Sequence, residues 1–232
     1  MMPVLHKFQT FRRSGHRLHF TRVHYFGEPQ LIGSDALSSP IPPTNKASIS
    51  PWTSGVDVLA HVALMGGPWP TALVERMRAA HITLIPTLTL FDVEAKKAQV
   101  SPEEDERWID LAVHQLKVYA DAGGLILFGT DVGYTDHFDT AEEYTLMARA
   151  GMTFPQILAS LTTNPAERFG ASGHTGRIAN HMDADVTVLD GDPATNISAF
   201  SKVRYTIRDG RIIYSDHPTV AKLSNHPATQ MK

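Results

Sequence analysis

Short apolar runs alternate with amphipathic stretches over the middle of the chain. The strand-like runs cover residues 56–61, 82–88 and 125–128. Helical patterns cover residues 71–80, 101–122, 140–150 and 154–162. Strands of a parallel sheet are buried on both faces and therefore appear as continuous apolar runs. The alternation predicts parallel β/α units.

The middle of the chain contains a clear helix start. Ser101 is a good N-cap, Pro102 suits the first helical position, and Glu103 and Glu104 lie in the first turn. Gly123 and Gly124 follow at the other end, where glycine commonly ends a helix. We therefore predict one long helix over residues 101–122.

The pattern changes after residue 170. Strand-like runs at 185–190, 203–208 and 211–214 have no helical pattern between them. The dipeptide Asp209-Gly210 separates the last two and favours the positive φ angles of a two-residue hairpin turn. We predict a small antiparallel β appendix over residues 171–232, after an α/β region over residues 55–170.

The first quarter of the chain differs in composition. Residues 1–54 hold six Lys or Arg against two acidic residues, a local net charge of +4, whereas residues 55–232 carry −7. A Ser/Pro run at 38–44 prevents regular structure there. We predict a mostly irregular segment, either a solvated tail or one that binds an acidic partner.

Composition excludes several classes of function. No Lys/Arg-rich stripe is present, so nucleic acid is not expected as a partner. The apolar runs are far shorter than the roughly 20 residues that span a bilayer, and the first 15 residues lack the apolar core of a secretory signal. We therefore expect a cytoplasmic protein. Because the chain contains 0 Cys, any metal must bind His, Asp or Glu.

Three polar residues lie at or near the ends of the predicted strands. His61 ends the first run, Thr87 lies in the second, and Asp131 follows the third. In parallel β/α arrays, the active-site groups come from these ends of the strands. An imidazole and a carboxylate together suit a metal such as Zn, Mn or Fe, or an acid–base pair. Each residue alone is also typical of a structural role, as a hydrogen-bonded core histidine or a helix-capping aspartate.

Two further residues follow Asp131. His137 lies in the next loop and either contacts a substrate or is solvated. Glu143 stabilises the start of the following helix or reaches back to the loop.

Five stretches in order resemble the metal-dependent amidohydrolases, in the branch of imidazolonepropionase and Xaa-Pro dipeptidase relatives. The resemblance covers residues 55–215, about the C-terminal half of such an enzyme. The stretches are Gly55-Val56-Asp57-Val58-Leu59-Ala60-His61, Leu84-Ile85-Pro86-Thr87-Leu88, Gly129-Thr130-Asp131, Ala150-Gly151-Met152-Thr153 with Leu161-Thr162-Thr163-Asn164-Pro165-Ala166, and Ala184-Asp185-Val186-Thr187-Val188-Leu189-Asp190-Gly191-Asp192-Pro193.

The resemblance implies a partial (β/α)8 barrel with a small β-sandwich portion. It implies one or two divalent ions, most often Zn, which activate a water for attack on a carbonyl. His61 matches a metal ligand of the family, and Asp131 matches the residue that binds metal and moves the proton of the water. We expect Thr87 and His137 to contact a small-molecule substrate.

The chain departs from the family pattern upstream of residue 55. No His-x-His pair occurs, and three predicted strands are too few to close a barrel. We interpret this as loss of the upstream half by truncation or a shifted reading frame. Exposed strand edges would then favour self-association.

Three functions follow as hypotheses. The leading one is an amidohydrolase that cleaves C–N bonds in a cyclic amide, imide or dipeptide-like substrate, with this chain inactive alone. The second is a non-catalytic interaction protein that keeps part of the barrel as a scaffold. The third is a metal-free enzyme that uses Asp131 and His137 as acid and base.

Overall fold

The computed structural model describes residues 57–63 and 67–217, together with the backbone of one short strand, β1 (Val23–Tyr25). The chain divides into two units, residues 1–136 and residues 137–232. Strand β1 lies inside the segment predicted to be mostly irregular, the rest of which lies outside the described residues. The predicted domain boundaries at residues 54 and 170 stay predictions.

A parallel sheet forms the centre of the first unit. Its strands β1, β2 (Val58–Ala60), β3 (Thr83–Ile85) and β4 (Leu125–Ile126) lie side by side in chain order. Val58 pairs with Thr83, and Thr83 pairs with Leu125. The predicted parallel α/β arrangement is confirmed for this sheet. The sequence pattern predicted three strands and missed β1.

Three helices accompany this sheet: α1 (Thr71–Ala79), α2 (Thr89–Ala98) and α3 (Pro102–Asp121). Helices α1 and α3 lie where the pattern predicts them. The Ser101 side chain accepts a hydrogen bond from the Glu104 amide at 3.3 Å, which confirms the predicted cap. Helix α2 was not predicted, and the run at 82–88 forms a strand only as far as Ile85.

The core of the first unit lies between the sheet and α3. Val58, Leu84 and Leu116 have no measurable exposed surface. The Tyr119 ring is equally buried, and its hydroxyl donates a hydrogen bond to the Ile82 carbonyl just before β3. A side chain at Gly124 would overlap the Tyr119 ring. This glycine therefore allows the chain to pass from α3 into β4.

The second unit combines helices with an antiparallel sheet. The helices are α4 (Ala141–Arg149), α5 (Phe154–Leu161) and α6 (Thr163–Arg168), and the strands are β5 (Val186–Leu189), β6 (Val203–Arg208) and β7 (Arg211–Ser215). The three strands form one antiparallel sheet in chain order. The predicted hairpin is confirmed, because Asp209 and Gly210 adopt φ angles of 49° and 73° between β6 and β7.

The helices found in the described part of the chain include none with the length and apolarity required to cross a membrane.

Candidate active site

Three of the predicted site residues follow neighbouring strands of the parallel sheet. His61 comes directly after β2, Thr87 comes two residues after β3, and Asp131 comes five residues after β4. The carboxyl ends of parallel strands lie at the same edge of a sheet. The chain therefore delivers an imidazole, a hydroxyl and a carboxylate to this edge.

All three residues adopt a left-handed backbone conformation. The φ angles are 68° at His61, 50° at Thr87 and 58° at Asp131. Non-glycine residues rarely adopt this conformation, which costs about 1–3 kcal/mol and persists only where surrounding contacts enforce it. Such residues cluster at functional sites. Their position after three adjacent strands therefore marks this edge as the candidate site.

Backbone hydrogen bonds to the end of β3 hold the chain at His61. The His61 amide donates to the Ile85 carbonyl at 2.8 Å, and the Val62 amide donates to the Pro86 carbonyl at 3.3 Å. The pairing of β2 with β3 thus continues past the last residue of each strand. This continuation places the His61 side chain against the segment that carries Thr87.

The Thr87 hydroxyl contacts both the His61 ring and the backbone carbonyl of the preceding residue, Pro86. Its Oγ1 lies 2.7 Å from His61 Nδ1 and donates to the Pro86 carbonyl at 2.8 Å. The Thr87 side chain is buried. The contact between Thr87 and His61 thereby connects the chain after β3 to the chain after β2.

His61 and Asp131 are close enough to influence each other electrostatically. Burial lowers the pKa of His61, and the negative charge of Asp131 opposes that change. Burial raises the pKa of Asp131, and the charge of His61 opposes it. The neutral form of each group is therefore stabilised by desolvation and its charged form by the other group.

Helix α2 brings two more charges near Asp131. Glu94 raises the pKa of Asp131 and Lys97 lowers it. Lys97 Nζ lies 2.9 Å from Glu94 Oε1 and 4.3 Å from the centre of the Tyr134 ring. Lys97 therefore joins α2 to the loop that follows Asp131. The sequence pattern missed this group because it did not predict α2.

Helix α3 holds the segment after His61 through a buried glutamine. The Gln115 side chain accepts a hydrogen bond from the Ala63 amide at 2.8 Å and donates to the Ala63 carbonyl at 2.6 Å and the Gly67 carbonyl at 2.7 Å. Gln115 is fully buried. In the sequence, the signal for this contact is a Gln on the apolar face of α3.

Two other residues considered from the sequence lie in the second unit. His137 is the first residue of that unit, and it is exposed. Glu143 is fully buried in the first turn of α4. The substrate contact predicted for His137 stays a prediction.

The described residues offer only part of a metal site. Among residues 57–63 and 67–217, no group of three or more His, Asp or Glu side chains is arranged to hold a metal ion. A catalytic Zn ion usually takes three protein ligands and a water. His61 and Asp131 would supply two, so this part of the chain does not by itself fit a complete catalytic metal site.

Comparison with known proteins identifies the family. The model of the amidohydrolase family matches residues 67–213, well over half of the chain. The chain belongs to the amidohydrolase family. Thr87 and Asp131 lie inside the matched range, and His61 lies shortly before it. The resemblance carried by the five sequence stretches is thereby confirmed.

Solved structures of amidohydrolases resemble the chain over most of its length. A prolidase complexed with N-methylphosphonate-L-proline is 26% identical, with a TM-score of 0.59, over 71% of this chain and 41% of that one. A Xaa-Pro dipeptidase with methionine bound in its active site is 23% identical, with a TM-score of 0.61, over 71% and 41%. A. niger ochratoxinase is 22% identical, with a TM-score of 0.57, over 71% and 38%.

This chain thus corresponds to less than half the length of these relatives. No curated protein sequence matches the chain.

Proposed function

We propose that the chain supplies part of the active site of a hydrolase that cleaves C–N bonds. The observation that carries the proposal is the left-handed trio His61, Thr87 and Asp131 after three adjacent parallel strands of a chain in the amidohydrolase family. The substrate is a small molecule: a cyclic amide, an imide or a dipeptide-like compound. The prolidase and the Xaa-Pro dipeptidase among the similar structures favour the dipeptide-like class.

The fold proposed for this site is part of a (β/α)8 barrel. The described sheet contains four parallel strands in chain order, and an eight-stranded barrel requires four more. Active sites of such barrels lie at the carboxyl ends of the strands, where this trio is found. The missing strands would have to come from outside the described residues.

The metal proposed for this site is a divalent ion, Zn²⁺ in the first instance. His61 Nε2 and the Asp131 carboxylate are its proposed ligands, and further ligands would come from outside the described residues. When bound, such an ion supplies an activated water. The Asp131 carboxylate would take up a proton from such a water, as a general base does.

Substrate contact is proposed for His137, which is exposed on the segment after Asp131. Thr87, the second residue predicted to contact the substrate, is buried and contacts His61.

Binding of Zn²⁺ and of a substrate analogue to the whole chain tests the proposal. Competition with a chromophoric chelator measures Zn²⁺ binding, and calorimetry measures binding of N-methylphosphonate-L-proline with and without Zn²⁺. We expect weak Zn²⁺ binding that His61→Ala and Asp131→Ala together abolish. Analogue binding should require Zn²⁺ and be lost in the same double variant. His174→Ala in the second unit is the control, because its side chain is 63% exposed.

Hydrolysis of a Xaa-Pro dipeptide by the same preparations completes the test. We expect no measurable turnover by the chain alone, because two ligands do not complete the site. Tight stoichiometric Zn²⁺ binding with turnover would show instead that the chain holds a complete site. Turnover that survives chelators would favour the metal-free acid–base hypothesis. Zn²⁺ binding unchanged in the double variant would refute the assigned ligands.

A further inference from the structure

The contacts of Thr87 determine where the proton of His61 lies. The Thr87 oxygen has two short polar neighbours, the Pro86 carbonyl oxygen at 2.8 Å and His61 Nδ1 at 2.7 Å. A threonine hydroxyl carries one proton, and a carbonyl oxygen carries none. Two oxygens at 2.8 Å are in favourable contact only when a hydrogen lies between them. The Thr87 proton therefore points at the Pro86 carbonyl.

The contact between Thr87 Oγ1 and His61 Nδ1 therefore needs a proton from the imidazole. Because the Thr87 hydroxyl has already donated, its oxygen can only accept from His61 Nδ1. The Nδ1 atom must carry the hydrogen. In a neutral imidazole, one nitrogen is protonated and the other bears a lone pair. The lone pair of His61 is therefore on Nε2.

We propose that Thr87 is a positioning residue that fixes His61 in the tautomer with hydrogen on Nδ1 and the lone pair on Nε2. The value of that lone pair to a metal ion rests on the proposed function, whereas the tautomer itself does not. A ligating histidine commonly has its other ring nitrogen held by a hydrogen bond of this kind, which fixes the tautomer and ring orientation. The hydroxyl and imidazole lie 26 residues apart along the chain and meet through the pairing of β2 with β3.

The backbone of Thr87 supports a role beyond packing. Its φ angle of 50° is unfavourable for a β-branched residue, and Gly or Asn would adopt it at lower cost. The residue is also only 3% exposed, so solvent does not compete for its hydrogen bonds. A threonine in this conformation is explained by the need for a hydroxyl within reach of both Nδ1 and the Pro86 carbonyl.

Nuclear magnetic resonance of ¹⁵N-histidine-labelled protein tests the inference without activity or metal. Long-range ¹H–¹⁵N spectra at mildly alkaline pH distinguish a protonated from an unprotonated ring nitrogen, and His61→Ala assigns the signal. We expect a protonated Nδ1 and an unprotonated Nε2 in the natural chain and in Thr87→Ser, which keeps the hydroxyl. Thr87→Val keeps the shape without the hydroxyl and should shift the population toward hydrogen on Nε2.

The spectrum of the natural chain decides the inference even where Thr87→Val fails to fold. An Nε2-protonated imidazole or an imidazolium in that spectrum would overturn it, as would an unchanged tautomer in a folded Thr87→Val. A second readout uses Zn²⁺ alone. Thr87→Val should weaken its binding by about 10- to 100-fold, and Thr87→Ser should restore it. Failure of Zn²⁺ binding in every variant would count against the proposed function and leave the tautomer result standing.

Discussion

Gln115 in α3 exchanges two hydrogen bonds with the backbone of Ala63, which lies two residues after His61. The Ala63 amide donates to Gln115 Oε1, and Gln115 Nε2 donates to the Ala63 carbonyl. The same nitrogen donates to the Gly67 carbonyl. One side chain thus satisfies three backbone groups of the segment that leaves the candidate site.

Replacing Gln115 by Leu should destabilise the first unit by about 1–3 kcal/mol, because three half-buried backbone groups lose their partner. Urea unfolding followed by circular dichroism measures the change. His114→Leu, at the neighbouring exposed position of α3, is the control and should change stability by less than about 0.5 kcal/mol. Equal effects of the two variants would contradict the role given to Gln115.

Gly129→Ala should destabilise the chain by about 1–3 kcal/mol through overpacking. A Cβ atom at this position would lie 2.5 Å from Ile85 Cγ2, so the segment leading to Asp131 would have to move away from β3. Ile85→Leu removes that branch while keeping the side-chain volume. A double-mutant cycle of Gly129→Ala and Ile85→Leu should recover part of the lost stability. Strictly additive losses would show that this contact is not the cause.

The stability of the first unit should fall as pH rises from about 10 to about 12. Burial raises the pKa of Tyr119 from 10.0 to about 12. The unfolded chain therefore loses the phenol proton first. The stabilisation that comes from the protonated Tyr119 is fully present below pH 10. It is lost as the pH rises through the raised pKa, and the total loss is up to about 3 kcal/mol.

Urea unfolding over this pH range measures the Tyr119 effect. Tyr119→Phe should flatten the alkaline fall, at the cost of about 1 kcal/mol at neutral pH for the lost hydrogen bond to the Ile82 carbonyl. Tyr214→Phe, at a position that is 50% exposed, should leave the fall intact. If the free energy of unfolding of Tyr119→Phe fell by the same amount at alkaline pH, groups other than Tyr119 would be the cause.

Ser101→Ala should cost about 1 kcal/mol, because the Ser101 side chain caps α3 at the Glu104 amide. Thermal unfolding measures the loss, and Ser101→Asp should restore most of it by capping the same amide. Ser172→Ala, at an exposed position in the second unit, is the control. A loss no larger than that of the control would show that the cap contributes little.

The sequence pattern predicted best where structure depends on local signals. Helix α3 follows from its N-cap and the glycines after it, and the β6–β7 hairpin follows from Asp209-Gly210. Helix α2 was missed because the apolar run into it resembles a continuing strand and its N-cap, Leu88, makes no side-chain capping bond. Helix α6 was missed because it follows α5 with only Thr162 between them.

The sequence by itself determined three of the four strands of the parallel sheet, the family, and the three residues after those strands, because apolar runs, caps and ordered motifs are local features of the chain. Only the tertiary structure decided that Thr87 contacts His61, that Gln115 holds Ala63, and that α2 brings Lys97 near Asp131. Those contacts join residues 26 to 52 positions apart. They depend on strand register and helix packing, which the hydrophobic pattern does not encode position by position.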